Sequence, residues 1–377
     1  MFNVEVSEGL VSKLADRPIP TEVSSVAGWK EIPLAEPENP ESLVPLGSFS
    51  KYDSIFTSSV YFGQHNNSPY MKKFLEGSMP TIFVREGVAE ALKVAEKQLP
   101  KGMYFVVYDA YRPLQVQQSL YDTFYGELKN QHSDWSENQL SVETQKFVSL
   151  PRSPKLDPDV KFVSPHNTGG AVDLAISVLS GEDQRMVDQI DQELSGLDQE
   201  NDLKAYKLQF KKYQILRQKG TPLDFGTLFD HGGSRAALNY YEVLAKQRPL
   251  TSEEKKAQEN RRILYNAMID VGFQPYEDEW WHYNSLKTQM GAKTAGLDHA
   301  EYGSADLSEE NLKFDEMIRM HEFGVISMEQ GSAVGVSKPE LEKEFKVVAR
   351  SVMEARKTGG SVLKTSQLES EIIRPAA

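Results

Sequence analysis

The sequence predicts a mixed fold of α and β elements, and three observations carry that expectation. Short apolar runs rich in β-branched and aromatic residues, such as Met103 to Tyr111 and Ala171 to Ile176, read as buried strands. Between them lie segments whose apolar residues recur at helical spacing. A long stretch of helix formers, about 182–219, and a charged helical region beyond about Ala300 are added to this frame.

The first part, to about Ser50, is broken by Arg17-Pro18-Ile19-Pro20, Ile32-Pro33, Glu36-Pro37 and Asn39-Pro40, and reads as extended cover over a domain. From Pro80 the pattern sharpens. Thr81-Ile82-Phe83-Val84 leads into Glu86 to Leu99, where Val88, Ala91, Leu92, Ala95 and Leu99 define one helix face, and Pro100-Lys101-Gly102 ends it. After the 103–111 strand, Arg112 occupies a strand-to-helix corner, because Pro113 suits the first turn of a helix running through Val116, Leu120 and Phe124.

The strand at Ala171 to Ile176 carries an acid, Asp173, in an apolar element, and a buried carboxylate needs a counter-charge. In 182–219 acids crowd the first half and lysines the second; a helical hairpin turning near Ser195-Gly196 would pair them, and one long exposed helix is equally allowed. Two helical patterns follow Asp230, the second over Asn260 to Val271 with Gly272 as its cap. Phe273 to Tyr283 reads as a last strand carrying two tryptophans, and the tail from Lys357 reads as loose.

At 377 residues the chain is long enough for one elaborated domain or a domain with a sizeable appendage. A net charge of -13 argues against a nucleic-acid groove, which needs a concentrated basic face. No cysteine is present, so there is no disulfide framework, thiolate zinc site or cysteine nucleophile, and any metal must sit on nitrogen and oxygen. The first residues lack a basic start and an apolar run, and no stretch is apolar for long enough to span a bilayer. The expectation is a cytoplasmic protein, or a periplasmic one if a leader has been removed.

Two stretches hold the chemistry. Ser164-Pro165-His166-Asn167-Thr168-Gly169-Gly170-Ala171-Val172-Asp173 and Glu279-Trp280-Trp281-His282 together supply two imidazoles and two carboxylates. Catalytic zinc takes three protein ligands and keeps a fourth position for water, so His166, Asp173 and His282 can hold one Zn2+ per chain while Glu279 stays free as base. Each stretch alone has a bland reading: a core histidine with a helix cap, and core tryptophans flanked by solvated polar residues. His166 and Asp173 meet only if Gly169-Gly170 makes a tight turn. Glu279 and His282, three apart, oppose each other on a flat strand and need a bend or bulge to share a face. Packing against indole would desolvate Glu279 and raise its pKa, which suits a base near neutral pH.

Other signals fail. His321-Glu322 begins a zinc-protease helix motif, but Val325 stands where the second histidine belongs, and His231-Gly232-Gly233 has no nucleophile-elbow serine to serve. His65, His132 and His299 read as surface or structural.

The ordered set of Asp109-Ala110-Tyr111-Arg112-Pro113, the Ser164 to Asp173 stretch, Gly226-Thr227-Leu228-Phe229-Asp230, Asn260-Arg261-Arg262, Gly272-Phe273 and Glu279-Trp280-Trp281-His282-Tyr283 resembles the D-alanyl-D-alanine dipeptidase family over roughly residues 50 to 290. The resemblance implies an α+β fold with a small, mostly antiparallel central sheet flanked by helices, here with the 182–219 insertion and a C-terminal extension from 300. It implies zinc on His166, Asp173 and His282, Glu279 as general base, Arg112 over the oxyanion, and Asp230 and Ser164 at the substrate ammonium. An Asp after Phe also reads as a helix N-cap. A dipeptide is the implied substrate; the rivals are a D,D-carboxypeptidase trimming peptidoglycan stems and a metal-stabilised binding protein. The inserted hairpin or the C-terminal helices could bind a partner or a second copy.

Overall fold

In the computed structural model the described residues are 13–63, 75–145, 148–197 and 203–319. Readings made above on the first residues, His65, the His321-Glu322 motif and the tail from Lys357 lie outside them. The chain divides into two compact units, Met1–Gln184 with Leu216–Asp306, and Arg185–Ile215 with Leu307–Ala377.

The first unit is the α+β fold that the sequence predicts. Its strands are β1 (Leu43–Pro45), β2 (Phe56–Thr57), β3 (Phe83–Arg85), β4 (Met103–Asp109), β5 (Ala171–Val178), β6 (Thr221–Pro222), β7 (Gln274–Tyr276) and β8 (Glu279–Asn284). The main sheet runs β2-β4-β5-β8-β7, with β6 on β5, and β1 pairs β3 separately. Apart from the parallel β2–β4 pair its ladders are antiparallel. β4 and β5 are buried almost throughout, because Val106, Val107, Leu174 and Ile176 fit a pleated surface covered on both faces.

The Glu86–Glu96 helix turns Val88, Ala89, Leu92 and Ala95 inward, a turn shorter than the apolar pattern, and Leu99 is buried beyond its end. Leu114–Gln131 starts one residue after Pro113, which serves as its N-cap. The Ser252–Ile269 helix begins two turns earlier than the pattern from Asn260. A reciprocal Thr251/Glu254 capping box satisfies its first N–H groups, a signal that the apolar spacing alone does not carry. The expected last strand is instead a hairpin: β7 and β8 turn at Glu277-Asp278, where Glu277 accepts hydrogen bonds from Ser25 Oγ and Val26 N.

Residues 13–42 are mostly irregular and are tied down by polar contacts. Asn266 Nδ2 donates to the Leu14 and Arg17 carbonyls, Arg17 pairs with Asp270, and Leu34 bridges Ala300. The 182–219 stretch forms two helices, Gly181–Leu194 and Leu203–Lys219, so of the two readings the hairpin is the one seen. Lys204 pairs with Glu193 and Lys212 with Asp191, the charge matching that the halves imply. Among the described residues no helix is long and apolar enough to cross a membrane.

Candidate metal centre

Strand register assembles the site. Asp109 on β4 lies opposite Asp173 on β5, and Asp173 lies opposite His282 on β8, so three polar side chains form one row across an apolar sheet. A register shift between Val107 and Asp109 interrupts the ladder just before that pair. His166 reaches the same row from the short Pro165–Thr168 helix, opened by Pro165 and closed by Gly169 at φ 72°. A Cβ on Gly169 would stand 2.4 Å from Leu43 Cδ2, and one on Gly170 2.5 Å from Thr288 Cγ2, so the turn folds back only with two glycines. The Arg112 N–H donates to the His166 carbonyl at 3.0 Å and fixes the helix against the end of β4.

His166, Asp173 and His282 are all buried, and their ligand atoms lie within 4.8 Å of one another. The tautomers follow from the outer contacts. His166 Nδ1–H donates to the Ala110 carbonyl at 2.8 Å, leaving Nε2 bare. His282 Nε2–H donates to Asn284 Oδ1 at 3.2 Å, leaving Nδ1 bare. The bare nitrogens are 3.2 Å apart, and the Asp173 carboxylate bridges them to complete a triangle of side chains, Oδ1 lying 2.9 Å from His282 Nδ1 and Oδ2 3.4 Å from His166 Nε2. Three acceptors converging in a buried space can hold a cation between them. For zinc, metal–ligand distances of about 2.0 to 2.2 Å put tetrahedral ligands about 3.3 to 3.5 Å apart, a spacing that the two imidazole nitrogens and the carboxylate oxygen nearer to each approach to within a few tenths of an ångström.

The local field favours positive charge. Burial pushes the Asp173 carboxyl up, but His166 and His282 outweigh it and hold it well below the usual carboxylate range. Burial likewise opposes charge on His166, yet Asp173 and Asp109 leave its pKa raised. Asp109 Oδ2 lies 3.3 Å from His166 Nδ1 and also takes Arg112 Nε at 3.0 Å.

Glu279 stands beside the triangle, its Oε2 3.9 Å from His282 Nδ1. The required irregularity is present: β7 and β8 shift register between Pro275 and Tyr276, so Tyr276 pairs with Glu279 while Pro275 pairs with Tyr283. Although 36% of its side-chain surface still reaches solvent, burial of the carboxyl raises its pKa, with Asp173 and Asp230 adding to the rise and His282 and Arg112 opposing it, to about 7. Trp281 packs edge-on against Phe229, and Trp280 stacks on Phe225 at 4.1 Å.

Arg112 projects from the predicted corner and is largely buried. Its guanidinium gives Nε and one Nη to Asp109 and the other Nη to Gln117 Oε1 at 2.8 Å, and it covers the Tyr61 ring. Guanidinium carries five N–H groups, so two remain for another acceptor. Ser164 is half-buried at the N-cap position and makes no side-chain cap bond. Asp230 is exposed, with a left-handed φ of 62°, and is not a helix cap: the next turn, Ser234–Ala236, has Gly233 in that position.

The sequence reading did not single out Asn284, Asp109 or the Ala110 carbonyl as partners of the cluster. Asn284 has a usable signal, since i and i+2 on a strand share a face with His282. Asp109 stands within the quoted motif, but its contact with His166 depends on cross-strand register, and a carbonyl acceptor leaves no trace in residue type. Of the remaining histidines, His132 stacks on Trp135 and His299 pairs with Asp298 at the surface.

An α+β sheet that gathers a buried His-Asp-His triangle with a separate carboxylate at its edge is an arrangement of the metallopeptidase type. Comparison with known proteins agrees. Residues 211–300, which include Asp230, Glu279 and His282, match the family model described as D-ala-D-ala dipeptidase. A D-alanyl-D-alanine dipeptidase of Synechocystis sp. is 24% identical over 222 residues, covering 55% of this chain and 71% of that protein. The resemblance read from the motifs is thus borne out, and these relationships support an enzyme, a hydrolase of dipeptidase type.

Proposed function

We propose that the protein is a zinc-dependent dipeptidase that hydrolyses D-alanyl-D-alanine or a closely related short D-amino-acid peptide. The observation that carries this reading is the triangle of His166 Nε2, His282 Nδ1 and the Asp173 carboxylate, with Glu279 standing outside it. When bound there, zinc supplies Lewis acidity, polarising the scissile carbonyl and lowering the pKa of water enough for deprotonation near neutral pH.

The chain's own groups supply the rest. Glu279 takes a proton from the attacking water at its carboxylate and returns it to the leaving amine; a raised pKa suits both transfers. Arg112 offers its two remaining N–H groups to the charge that develops on the carbonyl oxygen. A single well-placed donor of this kind is commonly worth about 2.7 to 4 kcal/mol. Asp109 holds the guanidinium in place and leaves it the positive member of the pair. Asp230, with the Ser164 hydroxyl, receives the free ammonium of the dipeptide, which would give preference for substrates with an unblocked N-terminus. Asp230 is near enough to Glu279 to raise its pKa, as a carboxylate sharing one cleft would.

The test is purification of the full chain, measurement of bound zinc, and assay of stereoisomeric dipeptides with free and acetylated amines. The proposal expects about one zinc per chain and turnover of D,D dipeptides only when the amine is free. Turnover of acetylated or longer stem peptides would favour the carboxypeptidase reading. Absence of D,D hydrolysis by zinc-loaded protein would leave a binding role.

A further inference from the structure

Asn260 and Arg261 lie in the middle of the Ser252–Ile269 helix, and both are fully buried. A buried guanidinium is costly unless its donors are met. Each nitrogen of Arg261 donates to the backbone of a single loop: Nε to the Phe225 carbonyl at 2.9 Å, Nη2 to that of Arg235 at 2.7 Å and Nη1 to that of Ala237 at 2.6 Å. Asn260 Nδ2 adds the Asp224 carbonyl at 2.7 Å, and the Arg261 guanidinium lies over the Tyr241 ring at 4.8 Å. Two adjacent residues thus clamp both ends of the loop 224–237.

That loop carries Asp230. Near its first anchor, Gly226 at φ 82° packs so closely on Tyr241 that a Cβ would stand 1.9 Å from the phenolic oxygen, and Thr227 Oγ1 accepts from Trp280 Nε1 at 2.8 Å. Farther along, Phe229 packs between Tyr108 and Trp281. Asp230 follows at φ 62°, a backbone state that costs a non-glycine residue free energy and persists only where the surroundings over-determine it. Leu228 and residues 230–235 are exposed, so the loop's conformation depends on its anchored ends more than on burial of its tip.

We infer that Arg261, with Asn260, is a positioning residue for substrate recognition: it holds loop 224–237 so that Asp230 faces the substrate ammonium. This rests on the ammonium role proposed for Asp230. It predicts a signature that a general packing role would not give, namely a loss confined to the Michaelis constant for the free-amine substrate and dependent on Asp230.

The experiment is a double-mutant cycle in the zinc-loaded full chain with D-Ala-D-Ala as substrate, combining Arg261→Lys with Asp230→Ala, and Asn260→Ala with Asp230→Ala as a milder pair. Hydrogen exchange of residues 226–236 is measured on each variant. The expected result is a KM raised about tenfold by Arg261→Lys and severalfold by Asn260→Ala, with kcat within twofold, zinc content unchanged and loop exchange accelerated. In the Asp230→Ala background either change should add less than twofold. If Arg261→Lys does not fold, the Asn260→Ala cycle decides alone. Equal effects with and without Asp230, a fall in kcat instead of a rise in KM, or unchanged loop exchange would overturn the inference. If Asp230→Ala itself leaves KM unchanged, the ammonium role fails instead, while the exchange data still report whether Arg261 and Asn260 hold the loop.

Discussion

Glu279→Gln separates the roles proposed at the metal centre. The substitution keeps the shape of the side chain and removes its capacity to accept a proton. Glu279 Oε2 is 3.9 Å from His282 Nδ1, farther than the 2.9 to 3.4 Å contacts among His166, Asp173 and His282, so zinc content should be unchanged. Loss of a positioned general base commonly costs about 10² to 10⁴ in rate, or about 2.7 to 5.4 kcal/mol at 1.36 kcal/mol per decade, and kcat should fall by that factor. The pH profile adds a second reading. The carboxyl must be ionised to act, and its pKa in the metal-free chain stands at about 7. A bound divalent cation favours the anion, so the acid limb of kcat/KM in the zinc enzyme should fall between the ordinary value of about 4.5 and 7.

Stability should move the opposite way. A carboxyl whose folded pKa is raised is penalised once ionised, so metal-free Glu279→Gln should be more stable than the unsubstituted protein at pH 8. The difference should shrink as pH falls through 7 and vanish below about 4.5, where the group is protonated in both folded and unfolded chains. Steady-state kinetics, metal analysis and thermal melts across pH measure all three. Full activity with zinc retained would end the base assignment, and loss of zinc together with activity would make Glu279 a ligand instead.

Metal removal gives a second prediction. Zinc at a hundredfold excess over its dissociation constant stabilises by about 2.7 kcal/mol. For a chain of this length that corresponds to a Tm rise of about 3 to 4 °C, and Asp173→Asn should abolish most of it; an equal rise in the variant would move the metal elsewhere. A third concerns the scaffold. The buried Glu242 carboxylate takes Arg262 Nε and Nη2 at 2.5 and 2.7 Å, Gln258 Nε2 at 2.9 Å and the Ile19 N–H at 3.3 Å. Glu242→Ala strands these donors, and since Arg262 keeps some solvent access the cost should be about 2 to 4 kcal/mol, toward the lower part of the range for breaking a buried pair. Urea unfolding at constant m should show it with zinc affinity unchanged, and a loss under about 0.5 kcal/mol would refute it.

What was legible in the sequence divides along a physical line. β4, β5 and the Glu86 helix announce themselves because their side chains carry the pattern: apolar runs for strands covered on both faces, a 3.6 period for a helix with one buried side. The cluster of candidate residues was legible because metal chemistry restricts residue type, so His166, Asp173, Glu279 and His282 stand out in their order, and the fold brings them together. The β7–β8 hairpin was legible only in part: the run of acids at Glu277-Asp278 suits a solvated turn, but it has neither glycine nor proline, and the tryptophans that follow prolong the strand pattern. The work of Arg261 was not legible, since its partners are carbonyl oxygens that every residue possesses.

The same line explains how the site is built. Its proposed ligands come together through register: opposing positions on β5 and β8 place Asp173 against His282, and a one-residue slip would send one of them to the other face. The loop proposed for recognition is held by backbone acceptors satisfied by a helix, which constrain its position without prescribing the exposed residues from Asp230 to Ser234. Substitutions within that loop should therefore alter which substrate is bound while leaving the metal triangle intact, whereas changes that shift β8 against β5 should abolish both together.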